Sequence, residues 1–501
     1  MIYRLIPFII PCLLPFLDAH VNAQSPLNSG AVAIRIDNYL KSSEINGYSV
    51  SVLVAKEGKI ILSKGYGWAD RKMKIPNLAS TVFNIGSVTK QFTAAAILKL
   101  QEVGKLNTSD KLSTWFAGVP PDKHQITIHQ LLTHTSGISP RTGGGRYNEA
   151  SKPRFLREFF DSRLMYPPGT RHTYANANYI VLAAIVEAAS GVDYESYLRV
   201  HFWEPLHMSH TGYRSTNFTG ERHAHGYFYH CTVGEWKDWG ITREHLPGNP
   251  NHWFSIGKGD IFSTVEDLYK WHLALEQNKV LSSESKKLME TAYVQENEEQ
   301  TSFYGYGWAI YPAPGGTRIV AHNGSNGIYF ADFLRFVDED LVVIALSNVR
   351  INHQSENVAW EIAEMVIDPA YRARPIPKNT CELVFDFMRT NEPVMVLHLP
   401  EYIKVKTESP INDKAILNRI GYNQVSESKD KAWGIALLEL NVRLFPGDGN
   451  LWDTLGEGYY LLGDRENAIA SFKKALELKT EDDCHWCENA STRIRELSDN
   501  E

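Results

Sequence analysis

The run Phe83-Asn84-Ile85-Gly86-Ser87-Val88-Thr89-Lys90, continued by Gln91 to Leu100, decides how this chain of 501 residues is to be read. Apolar positions at Phe92, Ala95, Ala96, Leu98 and Leu100 recur at helical spacing. Gly86 interrupts the chain just ahead of them. Ser87 therefore falls at a helix N-terminus, where unpaired N–H groups and aligned peptide dipoles favour negative charge. A spacing of three puts Lys90 on the same face, one turn later. A serine hydroxyl is a poor nucleophile until a neighbour takes its proton. Lysine serves only where desolvation or nearby positive charge favours its neutral form. Ser-x-x-Lys alone carries little weight, because Ser255/Lys258, Ser283/Lys286, Ser426/Lys429, Ser428/Lys431 and Ser471/Lys474 repeat it. Setting is what separates Ser87 from these.

Outward from this run, the N-terminal side reads as a short helix over Val32 to Leu40. Two strand-like runs follow, Ser49 to Ala55 and Ile60 to Gly65, around a Glu57-Gly58-Lys59 turn. From about Leu98 to His245, helical patterns and Pro/Gly-rich loops dominate. Strand character returns at Tyr304 to Tyr311, Arg318 to His322, Tyr329 to Val337 and Leu341 to Ser347, and Glu356 to Ile367 reads as a closing helix. Strands at both ends with helices between them predict an α/β (α+β) domain, a sheet flanked by helices and carrying a helical subdomain.

Two further elements have residue types suited to hydrolysis. Tyr174-Ala175-Asn176 precedes a helix from Tyr179 to Ala189; Tyr174 can relay the Ser87 proton, and Asn176 can bind a substrate carbonyl or hold Lys90. His322-Asn323-Gly324-Ser325 follows the strand-like Arg318 to Ala321. Gly324 admits close backbone approach, and the Ser325 N–H can pair with that of Ser87 as an oxyanion hole.

In this order the three elements resemble the serine hydrolase family of class C β-lactamases, low-molecular-mass penicillin-binding proteins, D-aminopeptidases and related esterases. The likeness covers roughly Ala31 to Pro369. It extends to His134-Thr135-Ser136-Gly137, Gly257-Lys258-Gly259-Asp260 ahead of Phe262-Ser263-Thr264, and Gly305-Tyr306-Gly307-Trp308. The resemblance implies Ser87 as the acylated nucleophile, with Lys90 and Tyr174 as a coupled proton-transfer pair. It implies substrate binding by Asn176, His322, Gly324 and Ser325, and neither metal nor cofactor. Where the β-lactamases carry Lys-Thr-Gly, this chain has His322-Asn323-Gly324. A largely neutral His replaces a fixed positive charge facing the substrate carboxylate. That change favours an ester, amide or small peptide substrate over a β-lactam. The rival expectation is a binding protein that captures cell-wall or peptide ligands without turnover.

The ends of the chain add context. Arg4, the apolar run Leu5 to Leu17 and Val21-Asn22-Ala23 read as a cleaved signal peptide over 1–23, too short for a membrane span. Export to the periplasm or medium is therefore expected. The hydrolase domain is expected over 24–370 and a linker over 371–410. Tetratricopeptide-like helical repeats, all-α, are expected over 411–501. In them Trp452, Leu455, Gly456, Tyr459, Gly463, Ala468, Phe472 and Ala475 follow the repeat pattern, with an earlier copy from Leu417 through Gly421-Tyr422. Such repeats dock a peptide or protein partner. Cys484-His485-Trp486-Cys487 is a redox pair, a partial metal site or a local disulfide. A formal charge of −7 gives no footprint for nucleic acid.

Overall fold

The computed structural model describes residues 30–499, except 144, 146–149, 214–221, 247–251, 313–316, 352, 428–429 and 480–483. The expected leader over 1–23 lies outside the described residues. Fourteen strands occur among those described: β1 (Val50–Lys56), β2 (Lys59–Tyr66), β3 (Trp68–Asp70), β4 (Ile75–Pro76), β5 (Phe83–Asn84), β6 (Gly226–His230), β7 (Glu235–Gly240), β8 (Phe262–Ser263), β9 (Val294–Gln295), β10 (Phe303–Tyr304), β11 (Ala309–Pro312), β12 (Arg318–Ser325), β13 (Phe330–Phe336) and β14 (Leu341–Ser347). Eight of them form one antiparallel sheet in the order β2-β1-β14-β13-β12-β11-β10-β9.

Alternation along the central strands explains the two-sided burial. On β14, Val342, Ile344 and Leu346 face a core that contains Phe92 to Leu100 of the helix Lys90–Glu102, and the helix Asn176–Ser190. Val343 and Ala345 face the other way, onto Ile36 and Leu40 of Ala31–Glu44 and Ile362 of Val358–Ile367. The α/β class and the helical insertion expected from the sequence are both present.

Three expectations are corrected in detail. Tyr304 to Tyr311 is not one strand: the chain turns between β10 and β11, with Gly305 N–H donating to Trp308 O at 2.8 Å. Gly307 (φ +74°) presses on the Lys90 carbonyl there, where a Cβ would sit 2.7 Å from its oxygen. The stretch 226–240, expected to be helix or loop, forms the β6–β7 hairpin. The stretch 371–410, expected to be a linker, holds the helices Thr380–Thr390 and Leu399–Thr407. Its apolar stripe of Cys381, Val384, Phe387, Leu399 and Ile403 buries against Tyr229 of β6 and Trp433, as a linker's would not. A disulfide between Cys231, in the hairpin turn, and Cys381 fastens the same contact.

Beyond it come the helices Lys414–Ser426, Lys431–Leu444, Gly449–Leu462, Arg465–Glu477 and Cys487–Ser498. Gly421 and Gly456, the glycines of the two sequence copies, lie where helices meet. A Cβ on Gly421 would stand 3.0 Å from the Gly434 carbonyl, and one on Gly456 would stand 2.6 Å from the Phe472 ring. Cys484 and Cys487 are joined as a local disulfide. Among the described residues no helix is long and apolar enough to cross a membrane.

Candidate active site

The β5–β8 pair carries the chain into Ser87. Asn84 accepts from the Gly86 N–H at 3.0 Å and donates to Asp260 Oδ1 at 3.1 Å, which ties this corner to the Gly257–Asp260 loop. Gly86 takes φ +50°, followed by a 3-10 turn over Gly86–Thr89 and then the helix from Lys90. Ser87 thus lies in a tight turn just before the α-helix, not in its first α-turn.

Lys90 is completely buried. Its Nζ donates to Ser87 Oγ at 3.0 Å, Asn176 Oδ1 at 2.9 Å and the Lys258 carbonyl at 2.7 Å. All three acceptors are neutral oxygens. Nζ also stands over the Tyr174 ring, 4.9 Å from its centroid. Asn176 begins the helix Asn176–Ser190, so the following helix fixes its side chain. Tyr174 hydrogen-bonds Ser87; burial pushes its phenol above its ordinary range, and that bond pulls partly against the rise. By contrast Lys286 of the Ser283/Lys286 lookalike pairs with Glu276 at 3.6 Å, and Lys474 of Ser471/Lys474 pairs with Glu477 at 2.9 Å.

The third element runs along β12, which extends through His322 to Ser325 instead of ending in a turn. Gly324 touches the serine turn: a Cβ there would lie 2.1 Å from Ile85 O and 2.7 Å from Ser87 N. A Cβ on Gly86 would lie 2.6 Å from Ser325 N. Two glycines facing each other therefore let the backbone amides of Ser87 and Ser325 come alongside. His322 is 5% exposed, and burial, with Lys90 adding, pushes its pKa down to about 3. Its Nδ1 is 2.5 Å from Asn323 O, an acceptor, so Nδ1 carries the proton. Nε2 then accepts from the Tyr304 hydroxyl at 3.0 Å. Both ring nitrogens are used internally, so His322 offers a substrate neither charge nor a spare polar atom.

His134, named from sequence only as part of a supporting segment, holds Tyr174. Its Nδ1 accepts from the Ala175 N–H at 3.2 Å, its carbonyl from the Thr173 N–H at 2.9 Å, and its ring packs 4.3 Å from that of Tyr174. Full burial, with Lys90 adding, keeps it neutral. Its φ of +56° is the strained feature a sequence does not display. Beside Ser87 opens a cavity of about 460 Å³, lined by Tyr174, His322 to Ser325, Tyr304, Tyr311 and Trp360, and by the acids Glu296 and Asp332. Neither acid was singled out from the sequence, since no motif marks them.

A family model described as Beta-lactamase matches residues 35–364, and the chain belongs to that family. It is 29% identical over 340 residues to penicillin-binding protein 4* of Bacillus subtilis, a match spanning 65% of this chain and 73% of that one. Among solved structures it is similar to the octameric penicillin-binding protein homologue of Pyrococcus abyssi. There the TM-score is 0.59 at 26% identity, over 68% of this chain and 78% of that one. The penicillin binding protein of Bacillus halodurans is similar at TM-score 0.55 and 26% identity, over 65% of this chain and 98% of that one.

Proposed function

We propose that this protein is an exported serine hydrolase that cleaves an ester or amide through an acyl group on Ser87. The observation that carries this is the buried Lys90 Nζ at 3.0 Å from Ser87 Oγ. A serine hydroxyl becomes nucleophilic when a neighbour within hydrogen-bond reach takes its proton, and Lys90 in its uncharged form is that neighbour. Lys90 accepts the Ser87 proton as Oγ bonds to the substrate carbonyl carbon. The Ser87 and Ser325 amides face the oxyanion. Tyr174, its phenol kept protonated by burial, passes a proton to the leaving group and recovers one from Lys90. Water then releases the acid by the reverse relay.

The neutral His322 supports an ester, amide or small peptide over a β-lactam, whose carboxylate it cannot pair with. Two disulfides support an oxidising compartment, periplasmic or outside the cell. The C-terminal helices are proposed to dock a peptide or protein on the groove of Asn418, Tyr422, Asp453 and Asn489. Incubation with a fluorophosphonate and intact-mass measurement tests the catalytic assignment. One adduct on the wild type and none on Ser87→Ala is expected; no adduct, or equal adducts on both, refutes it. Parallel rates on p-nitrophenyl butyrate, D-alanyl p-nitroanilide and nitrocefin test the substrate order, which nitrocefin turnover far above the others overturns.

A further inference from the structure

We propose that Glu296 and Asp332 form an ammonium-binding subsite in the Ser87 cavity, so that the preferred substrates are esters or amides bearing a cationic amine. The inference rests on the hydrolase function proposed above and names its substrate class. Its starting point is an imbalance of charge. Among the described residues the cavity is lined by two carboxyl groups and by no lysine or arginine. The histidine at the position where a fixed cation would meet a substrate carboxylate is neutral and has no polar atom to spare. The carboxylate of an anionic substrate would find no lysine or arginine on this lining to offset its desolvation.

Asp332 is the stronger of the two observations. It lies on β13, opposite Asn323 of β12, and is 3% exposed. Its carboxyl takes an N–H from Phe333, and among the described residues no cation pairs with it. A buried carboxylate without a counter-ion is costly, so the group takes up a proton unless a cation is brought to it. Burial, with the like charge of Glu356 adding, pushes its pKa well up. Glu296 is bonded to the Ser302 hydroxyl, and burial raises its carboxyl as well. Both acids act on Tyr311, whose phenol rises to about 12, chiefly by burial with each carboxylate adding. Both carboxyl groups thus border the same cavity. Tyr304, Tyr311 and Trp360 supply the remaining walls. Aromatic faces with carboxylates are what a primary ammonium group binds: the rings attract it through their quadrupoles, and the acids supply the opposite charge. A bound ammonium would also keep both carboxyls ionised in a desolvated place.

Charged and uncharged isosteres test this directly. Alanine methyl ester, as both enantiomers, and methyl 6-aminohexanoate are compared with methyl isobutyrate and methyl heptanoate by pH-stat at pH 7. We expect kcat/KM at least tenfold higher for a cationic ester than for its isostere. That ratio should fall at least fivefold in Glu296→Gln and in Asp332→Asn. Equal rates for both kinds of ester, or a cation preference that survives both substitutions, overturns the subsite. Binding to Ser87→Ala is measured separately by calorimetry with n-butylammonium and 1-butanol. Saturable binding of the ammonium alone, lost in the Glu296→Gln/Asp332→Asn background, supports the subsite, and its absence overturns it. Should the wild type take no fluorophosphonate and hydrolyse no ester, the hydrolase function has failed, and the binding measurement alone decides the subsite.

Discussion

Adding one methyl group at Gly324 should disable the site without touching a proposed catalytic side chain. The Cβ of Gly324→Ala would lie 2.1 Å from the Ile85 carbonyl oxygen, against about 3.4 Å for ordinary contact. The shortfall is about 1.3 Å, and the obstructing atoms are backbone, so rotamer changes cannot relieve it. The edge of β12 must then move away from the serine turn by roughly 1 Å, which draws the Ser325 amide out of register with that of Ser87. Losing one oxyanion donor costs about 10²–10³ in kcat, and a 1 Å misplacement of positioning groups costs about as much. Overpacking of this size destabilises by about 1–3 kcal/mol, which a domain of this size withstands. The assay is kcat on p-nitrophenyl butyrate together with circular dichroism and the melting temperature. We expect a loss of at least 100-fold with native secondary structure. A folded Gly324→Ala protein within threefold of wild-type kcat would refute the oxyanion geometry.

Other outcomes follow from the same structure. Lys90→Ala and Tyr174→Phe should each lower kcat by about 10³ or more, and the double variant should be hardly slower than either, because groups acting as a unit are not additive; rapid labelling of Lys90→Ala by a fluorophosphonate would contradict this. His322 has its folded pKa depressed to about 3 from 6.5, so its contribution to stability is full above pH 6.5 and is lost as pH falls from 6.5 toward 3. At pH 5 that loss amounts to about 2 kcal/mol, so denaturant titrations at pH 7 and pH 5 should differ by this much less in His322→Gln than in wild type. His134→Ala should lower kcat more than it raises KM, since it frees the Ala175 amide and the Tyr174 ring while leaving His322 to Ser325, Tyr304 and Tyr311 in place; steady-state kinetics at fixed pH decides. Reducing Cys231–Cys381, which closes a separation of 150 residues, should cost about 3–5 kcal/mol, read as a lower melting temperature with reductant that is absent in Cys231→Ser.

The sequence made most of the candidate site's layout legible because its signals are local. Ser87 and Lys90 are one turn apart, Asn176 starts its own helix, and the β1–β2 hairpin and β14 follow simple alternation. What stayed hidden depends on contacts between distant segments. Cys231 and Cys381 are separated by a stretch that offers no pairing rule. The aromatic run Gly226 to His230 shows its strand character only once Tyr229 packs on Phe385 and Trp236. Tyr304 lies 18 residues from His322, yet its hydroxyl takes up the ring nitrogen that the Asn323 carbonyl leaves unprotonated. Asp332 reads as an ordinary polar break in a strand, and only its position on the cavity wall gives it chemical meaning.

The fastening of the β6–β7 hairpin to the helix Thr380–Thr390 also has a mechanical consequence. The covalent bond at Cys231–Cys381 and the apolar contact around Tyr229 and Phe385 act together, so the C-terminal helices cannot swing like a weight on a string. A partner held on those helices would be presented to the cleft at one distance and one angle. Its effective concentration there would be set by geometry instead of by the volume a flexible tether sweeps out. With that bond cut, only the apolar contact would hold the distance, and the ruler would soften toward a leash.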